Sequence, residues 1–100
     1  MAKYKLTKKA VNDLTQIWNY TLDNWSESQA DKYYYMLLDN CEELANNPGS
    51  GKNYSGVMGN LLGFKAGSHI IFYHRIEENE IEIIRILHEK MDLKNRIKEK

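Results

Sequence analysis

The 100-residue chain has a single cysteine, Cys41, which excludes an internal disulfide. It has three histidines, none at a chelating spacing to another histidine or to Cys41, so no zinc site and no cofactor are expected. Charge of one sign is not in excess either. Fourteen Lys and Arg offset fourteen Asp and Glu, so the broad basic footprint of a nucleic-acid binder is missing and any such contact has to be local. No run approaches the roughly 18 to 20 apolar residues needed to cross a bilayer, and Lys3, Lys5, Lys8 and Lys9 lead into no apolar stretch of the kind a secretory signal has. These absences place the chain in the cytoplasm, as one domain over residues 1–100 with residues 88–100 as a loosely packed tail.

What is present has two periods. Lys3-Tyr4-Lys5-Leu6-Thr7 alternates as an edge strand does, and Thr7 is placed to cap a helix. From Lys8 to about Trp25, Val11, Leu14, Trp18, Thr21 and Trp25 recur at helical steps, flanked by Ala10, Ile17 and Leu22. Ser26-Glu27-Ser28-Gln29 has the form of a capping box and opens a second helix. Its stripe is Ala30, Tyr33, Tyr34, Leu37, Leu38, Cys41, Leu44 and Ala45, and Asn47-Pro48-Gly49 ends it. So short a connection makes the two helices an antiparallel hairpin. Gly49 to Gly59 is glycine-rich and predicts a mobile loop. Leu61–Ala66, Ser68–Ile76 and Glu80–Leu87, separated by Gly67 and Glu77-Glu78-Asn79, predict a three-stranded antiparallel meander. In the tail, Asp92 is placed to cap a turn carrying Leu93 and Ile97. The fold class is α+β: an N-terminal strand, an antiparallel helix hairpin on an antiparallel sheet, and a C-terminal meander.

Four stretches, in order and at these spacings, carry a family likeness. They are Ile17-Trp18-Asn19-Tyr20-Thr21 with Trp25, Gln29-Ala30-Asp31-Lys32-Tyr33, Gly67-Ser68-His69-Ile70-Ile71-Phe72-Tyr73, and Ile83-Ile84-Arg85-Ile86-Leu87-His88 running into Met91-Asp92. Over nearly its whole length the chain resembles toxins of the RelE/ParE superfamily in type II toxin–antitoxin systems, on the ParE-like side. The resemblance implies a poison of DNA gyrase that traps the enzyme on cleaved DNA. It also implies a ParD-like antitoxin in a hetero-oligomer, with DNA touched only indirectly. The related RelE-type toxins are ribosome-dependent mRNA endonucleases, which is the competing expectation. A chain that has lost toxicity but still binds antitoxin and co-represses its operon is the third.

For the target surface the expected residues are Arg85, His88, Met91, Asp92 and Lys94. Arg85 lies among Ile81, Ile83 and Leu87 by the two-residue period of a strand, and a charge there needs either a target or a carboxylate such as Asp92. If the chain were a ribonuclease, Arg85 and His88 would be its catalytic groups, Arg85 neutralising phosphate charge and His88 moving a proton. The bland reading of His69 is a hydrogen bond to nearby backbone. Trp18, Trp25, Tyr33 and Tyr34 fall on or beside the stripes and are expected in the core. Tyr20 and Tyr35 point away from them. With Asp31 and Asp39 they form the expected antitoxin surface, on a helix that Glu27, Glu42 and Glu43 make acidic enough to hold a basic segment.

Overall fold

The computed structural model describes residues 2–91 and residue 97. The elements are β1 (Lys3–Leu6), α1 (Lys8–Asn24), α2 (Glu27–Asn46), a 3-10 turn at Pro48–Ser50, and strands β2 (Lys52–Asn53), β3 (Leu62–Ala66), β4 (His69–Glu77) and β5 (Glu80–His88). Both helix starts obey their local signals. The Thr7 hydroxyl accepts from Ala10 N–H, and the Ser26 hydroxyl accepts from Gln29 N–H, each satisfying a donor that the first helical turn leaves open.

The five strands form one sheet in the order β1-β5-β4-β3-β2, with helices packed on one face, as the α+β reading requires. The sheet is mixed, because β1 runs parallel to β5 while every other pair is antiparallel. The connection from β1 to β5 runs through both helices and three strands, long enough for the crossover that a parallel pair requires. β5 is therefore an interior strand, and its Ile81, Ile83 and Ile86 are fully buried. They meet Leu14 of α1, Leu37, Cys41 and Leu44 of α2, and Ile71 and Tyr73 of β4. Each fully buried aliphatic side chain of this kind contributes about 1.5–3 kcal/mol relative to exposure.

A second cluster lies apart from this one: Leu61, Ile70, Phe72 and Leu87, with Tyr54, Val57 and Met58 from the loop and Ile97 from the tail. Ile97 is 4% exposed, so the tail is tied to the body at that residue. Asp92 and Leu93, expected to start and line a turn there, lie outside the described residues.

The loop departs from the mobile segment that its glycines suggested. The Tyr73 hydroxyl, at the core's edge, donates to the Pro48 carbonyl at 2.7 Å and accepts from Gly51 N–H at 3.0 Å. Tyr54 packs edge-on against Phe72, ring centroids 5.1 Å apart, and Gly63 leaves the room its ring needs, since a Cβ there would sit 2.7 Å from it. Two tyrosines thus supply the anchoring that the loop's own small residues cannot.

The helix stripe is also rotated from its expected setting. Ala10, Asp13 and Leu14 are the buried residues of α1, whereas Val11 and Trp25 face solvent, Trp25 at 74% exposure. Trp25 is therefore not a core aromatic. It is the C-cap residue of α1, its N–H bonded to the Thr21 carbonyl. Trp18, Tyr33 and Tyr34 are half-buried.

Candidate functional site

The site begins at a place where the sheet runs out of strand. β1 pairs with β5 only as far as Ile83, which leaves the outer edge of β5 beyond it with unpaired backbone groups. Thr7 and Asp13 take them over. Thr7 N–H donates to the Ile83 carbonyl and its hydroxyl donates to the Ile84 carbonyl. Asp13 Oδ2 accepts from Ile86 N–H at 3.0 Å.

The same carboxylate holds Arg85. Arg85 Nε donates to Asp13 Oδ2 at 2.8 Å and Arg85 Nη2 donates to Asp13 Oδ1 at 3.0 Å, a two-point pairing between side chains that are 11% and 9% exposed. The carboxylate suggested by sequence, Asp92, lies outside the described residues; the partner in the described structure is Asp13. The expected neighbours of Arg85 are corrected as well. The register jumps from Phe72↔Arg85 to Tyr73↔Ile83, so Ile84 is an extra residue on β5. An extra residue resets the alternation of sides, and Arg85 keeps company with Leu87 but not with Ile81 and Ile83.

Beside this pair stand two imidazoles. His69 and His88 face each other across β4 and β5, ring centroids 5.3 Å apart and nearly perpendicular. His69 Nδ1 and the Tyr33 hydroxyl share a hydrogen at 2.6 Å, and that hydroxyl accepts from Ser68 N–H at 3.0 Å. The bond of His69 is thus to a side chain of α2, not to the backbone. Gly67, at φ +60°, makes the close approach possible: a Cβ there would lie 2.8 Å from the Tyr33 hydroxyl. His88 Nδ1 accepts from Lys90 N–H at 3.1 Å.

Burial lowers the His69 pKa from 6.5 to about 4, with His88 acting in the same direction and Asp13 and Glu89 opposing. Burial likewise raises the Tyr33 phenol, against the bond from Ser68. Because the folded state holds the His69 ring neutral, the unfolded chain binds the extra proton between those two values, and stability rises with pH across that window. The contribution is complete above about pH 6.5 and is lost as the pH falls toward 4. The ring is half-exposed, so solvent screening reduces the effect to about 1–2 kcal/mol. Thermal melts at about pH 7 and about pH 5 should show a larger fall in Tm for the wild type than for His69→Gln, by about 4–8 °C per kcal/mol. Equal falls in the two proteins would assign no proton linkage to this ring.

These groups line a groove of about 1060 Å³ between the helix hairpin and the C-terminal end of β5. Ile17, Met36 and Leu87 provide apolar lining, with Tyr20, Trp25 and Met91 as exposed apolar side chains; Lys9, Lys32 and Lys90 supply charge. Of the expected target residues, Arg85, His88 and Met91 line this groove, while Asp92 and Lys94 lie outside the described residues. The expected antitoxin residues divide. Tyr20 lines the groove, whereas Asp31, Tyr35 and Asp39 line a shallower hollow of about 520 Å³ on the outer side of α2. Lys32 and Met36 border both, so α2 is the wall between them. Asp31 also accepts a hydrogen bond from the Trp18 indole at 3.0 Å. Among the described residues no cluster of His, Cys, Asp and Glu is arranged to hold a metal ion, and burial pushes the Cys41 thiol up to about 12, which makes it unreactive. No described helix is long and apolar enough to cross a membrane.

Sequence reading missed Asp13, Lys32 and the placement of Trp25 at this groove. For Asp13 a signal existed, since a carboxylate three residues after Ala10 and four before Ile17 falls on the apolar face of α1.

Residues 4–93 match the family described as the ParE toxin of the type II toxin–antitoxin system parDE. Toxin ParE1 of Mycobacterium tuberculosis is 33% identical over 92% of this chain and 94% of its own length. Toxin ParE1 of Caulobacter vibrioides is 35% identical over the same shares, and Toxin ParE of Escherichia coli is 31% identical over 97% of this chain and 94% of its own. Among solved structures, a chain of the chromosomal ParDE system from P. aeruginosa superposes with a TM-score of 0.74 at 19% identity, covering 88% of this chain and 96% of that one, which speaks for the fold.

Proposed function

Because the chain belongs to the ParE toxin family of type II toxin–antitoxin systems, we propose that it poisons DNA gyrase in the cytoplasm, acting as one domain, and is neutralised by a ParD-like antitoxin in a hetero-oligomer. The observation that carries this reading is the shared groove. Arg85, His88 and Met91, the described residues of the target surface, line the same space as Tyr20 of the antitoxin surface. An antitoxin segment lying along Asp31, Tyr35 and Asp39 needs only to pass over α2, at Lys32 and Met36, to cover them. The outer face of α2 is acidic, with Glu27, Asp31, Asp39, Glu42 and Glu43 all exposed, and suits a basic segment. Neutralisation then follows from masking, with no change of shape required in the toxin.

Binding is favoured over RNA cleavage by the state of Arg85. Two of its nitrogens are held by Asp13 in a nearly buried pair, an arrangement that fixes the guanidinium for structure and reduces the charge it offers to a transition-state phosphate.

The deciding experiment is expression without antitoxin, followed by gyrase supercoiling and cleavage assays beside a ribosome-dependent mRNA cleavage assay. Growth arrest with cleaved plasmid trapped on gyrase and intact transcripts is the expected result. Cleaved transcripts with normal gyrase would move the protein to the RelE-type activity. No effect in either assay, with antitoxin binding retained, would leave it an inactive toxin that acts in repression alone.

A further inference from the structure

α1 carries two apolar stripes, and the fold uses one of them. Ala10, Leu14 and Ile17 pack into the main core. Val11, Thr15, Trp18 and Leu22 form the other, at alternating steps of four and three residues, and lie within about 60° of one another at 3.6 residues per turn. Trp25 continues the spacing one step past the helix end. Such alternation is the seam of a coiled coil, a surface suited to meeting another helix. The fold leaves it largely uncovered: Val11 is 49% exposed, Leu22 36% and Trp25 74%, Thr15 is exposed, and Trp18 is half-buried. Its polar atoms are already engaged, the Thr15 hydroxyl donating to the Val11 carbonyl at 3.2 Å and the Trp18 indole N–H to Asp31 at 3.0 Å, so the seam presents apolar surface.

The charges of α1 select the occupant. The helix has no acid in its first turn and no base in its last; it opens on Lys8 and closes with Asp23, both exposed, the reverse of what the helix dipole favours. Neither side chain has an ion-pair partner among the described residues. A second copy of α1 laid antiparallel brings each Lys8 beside the other's Asp23 and each N-terminus beside the other's C-terminus, so one pairing corrects both ends. With a twofold axis between Thr15 and Trp18, it also sets Val11 against Leu22 of the copy and Thr15 against Trp18 of the copy, a smaller side chain facing a larger one. We propose that this chain self-associates through α1, as an antiparallel twofold pair of helices along the seam from Val11 to Trp25. A pair of 17-residue helices, each about 25 Å long, is a small interface, so the dimer forms at high concentration and comes apart on dilution. Trp25 also lines the groove, and pairing covers that part of the groove's rim. Self-association of this kind goes beyond action on gyrase and stands whether or not gyrase is the target.

The test uses the purified full chain, with neither gyrase nor antitoxin present, so its failure leaves the gyrase reading untouched. Sedimentation equilibrium from about 1 to about 300 μM, the range a small interface calls for, should show the average mass rising from that of one chain toward that of two. Val11→Glu/Leu22→Glu should remain a single chain throughout, with a circular dichroism melt within about 3 °C of wild type at low concentration, since both residues are exposed. Lys8→Glu and Asp23→Lys are each expected to weaken self-association at least about fivefold, because every dimer then holds two like-charge contacts. Each also suits the helix dipole better than the native residue, so neither should lower the Tm of the dilute chain. Mixed in equal amounts, the two variants should pair with each other at least as strongly as wild type does with itself, because opposite charges then meet at both ends. A mass of one chain at every concentration would overturn the proposal and leave the seam to a helix of the antitoxin. Self-association that survives Val11→Glu/Leu22→Glu, or a mixture no stronger than its components, would overturn it as well, the first by placing the contact elsewhere and the second by excluding the antiparallel pairing.

Discussion

Replacing Asp13 with alanine is expected to destabilise the protein by about 3–5 kcal/mol, the usual consequence of removing one partner from a buried ion pair. The residue is 7% exposed and carries three bonds: two from Arg85 and one from Ile86 N–H. Its loss leaves the guanidinium nearly buried without this carboxylate and the edge of β5 without its acceptor. A domain of this size has about 5–15 kcal/mol in total, so the Tm should fall by at least about 12 °C in a thermal melt. The double variant Asp13→Ala/Arg85→Met removes both charges and should recover much of the loss. What it fails to recover measures the orphaned Ile86 N–H, about 1–3 kcal/mol. A single variant melting within about 3 °C of wild type would mean that neither the pair nor the edge cap matters. Because Arg85 is proposed for the target surface and is also held in a structural pair, any Arg85 variant that loses toxicity has to be read beside its melting curve.

The second large effect is expected at Trp25. Its side chain is 74% exposed and lines the groove, so Trp25→Ala should leave the Tm within about 2 °C of wild type, surface substitutions being usually near neutral. Antitoxin affinity should fall at least about 30-fold, corresponding to the 2 kcal/mol or more of a central aromatic anchor. Isothermal titration of the antitoxin against the two proteins checks this. A loss of less than threefold would take Trp25 out of the interface and leave the outer face of α2, with Tyr35, as the place to search.

The two substitutions also show where sequence reasoning stops. The caps at Thr7 and Ser26 were legible because each bond spans three residues, and the strand–helix–helix–meander order followed from periodicity and turn residues alone. The Asp13–Arg85 pair spans 72 residues, and nothing local in either segment names the other. The side on which Arg85 lies was misjudged because one extra residue, Ile84, breaks a rule that otherwise holds along β5. Trp25 looked like a core residue because helical spacing continues through Asn24, but it stands just past the helix end and is 74% exposed. In the same way, the glycines of the 49–59 segment gave no hint of Tyr73, which holds the segment from outside. Arg85, His88 and Met91, expected at the target surface, could be named together because they sit close in sequence at the end of one strand; that Lys32 lines the same groove could not be read, because only the packing of the helices on that strand brings it there.

The parallel pairing of the first strand with the last has a consequence for how the toxin is made. β1 leaves the ribosome before either helix, yet the strand it joins is the last of the described strands to be synthesised, and the floor of the groove, Arg85 to His88, belongs to that strand. Until β5 emerges, the helix hairpin has no complete sheet to pack on, and contacts so distant along the chain form late and slowly. On the proposed function, a chain without β5 has no groove floor with which to engage a target, and the closing of the sheet is the first point at which an antitoxin covering that groove is needed.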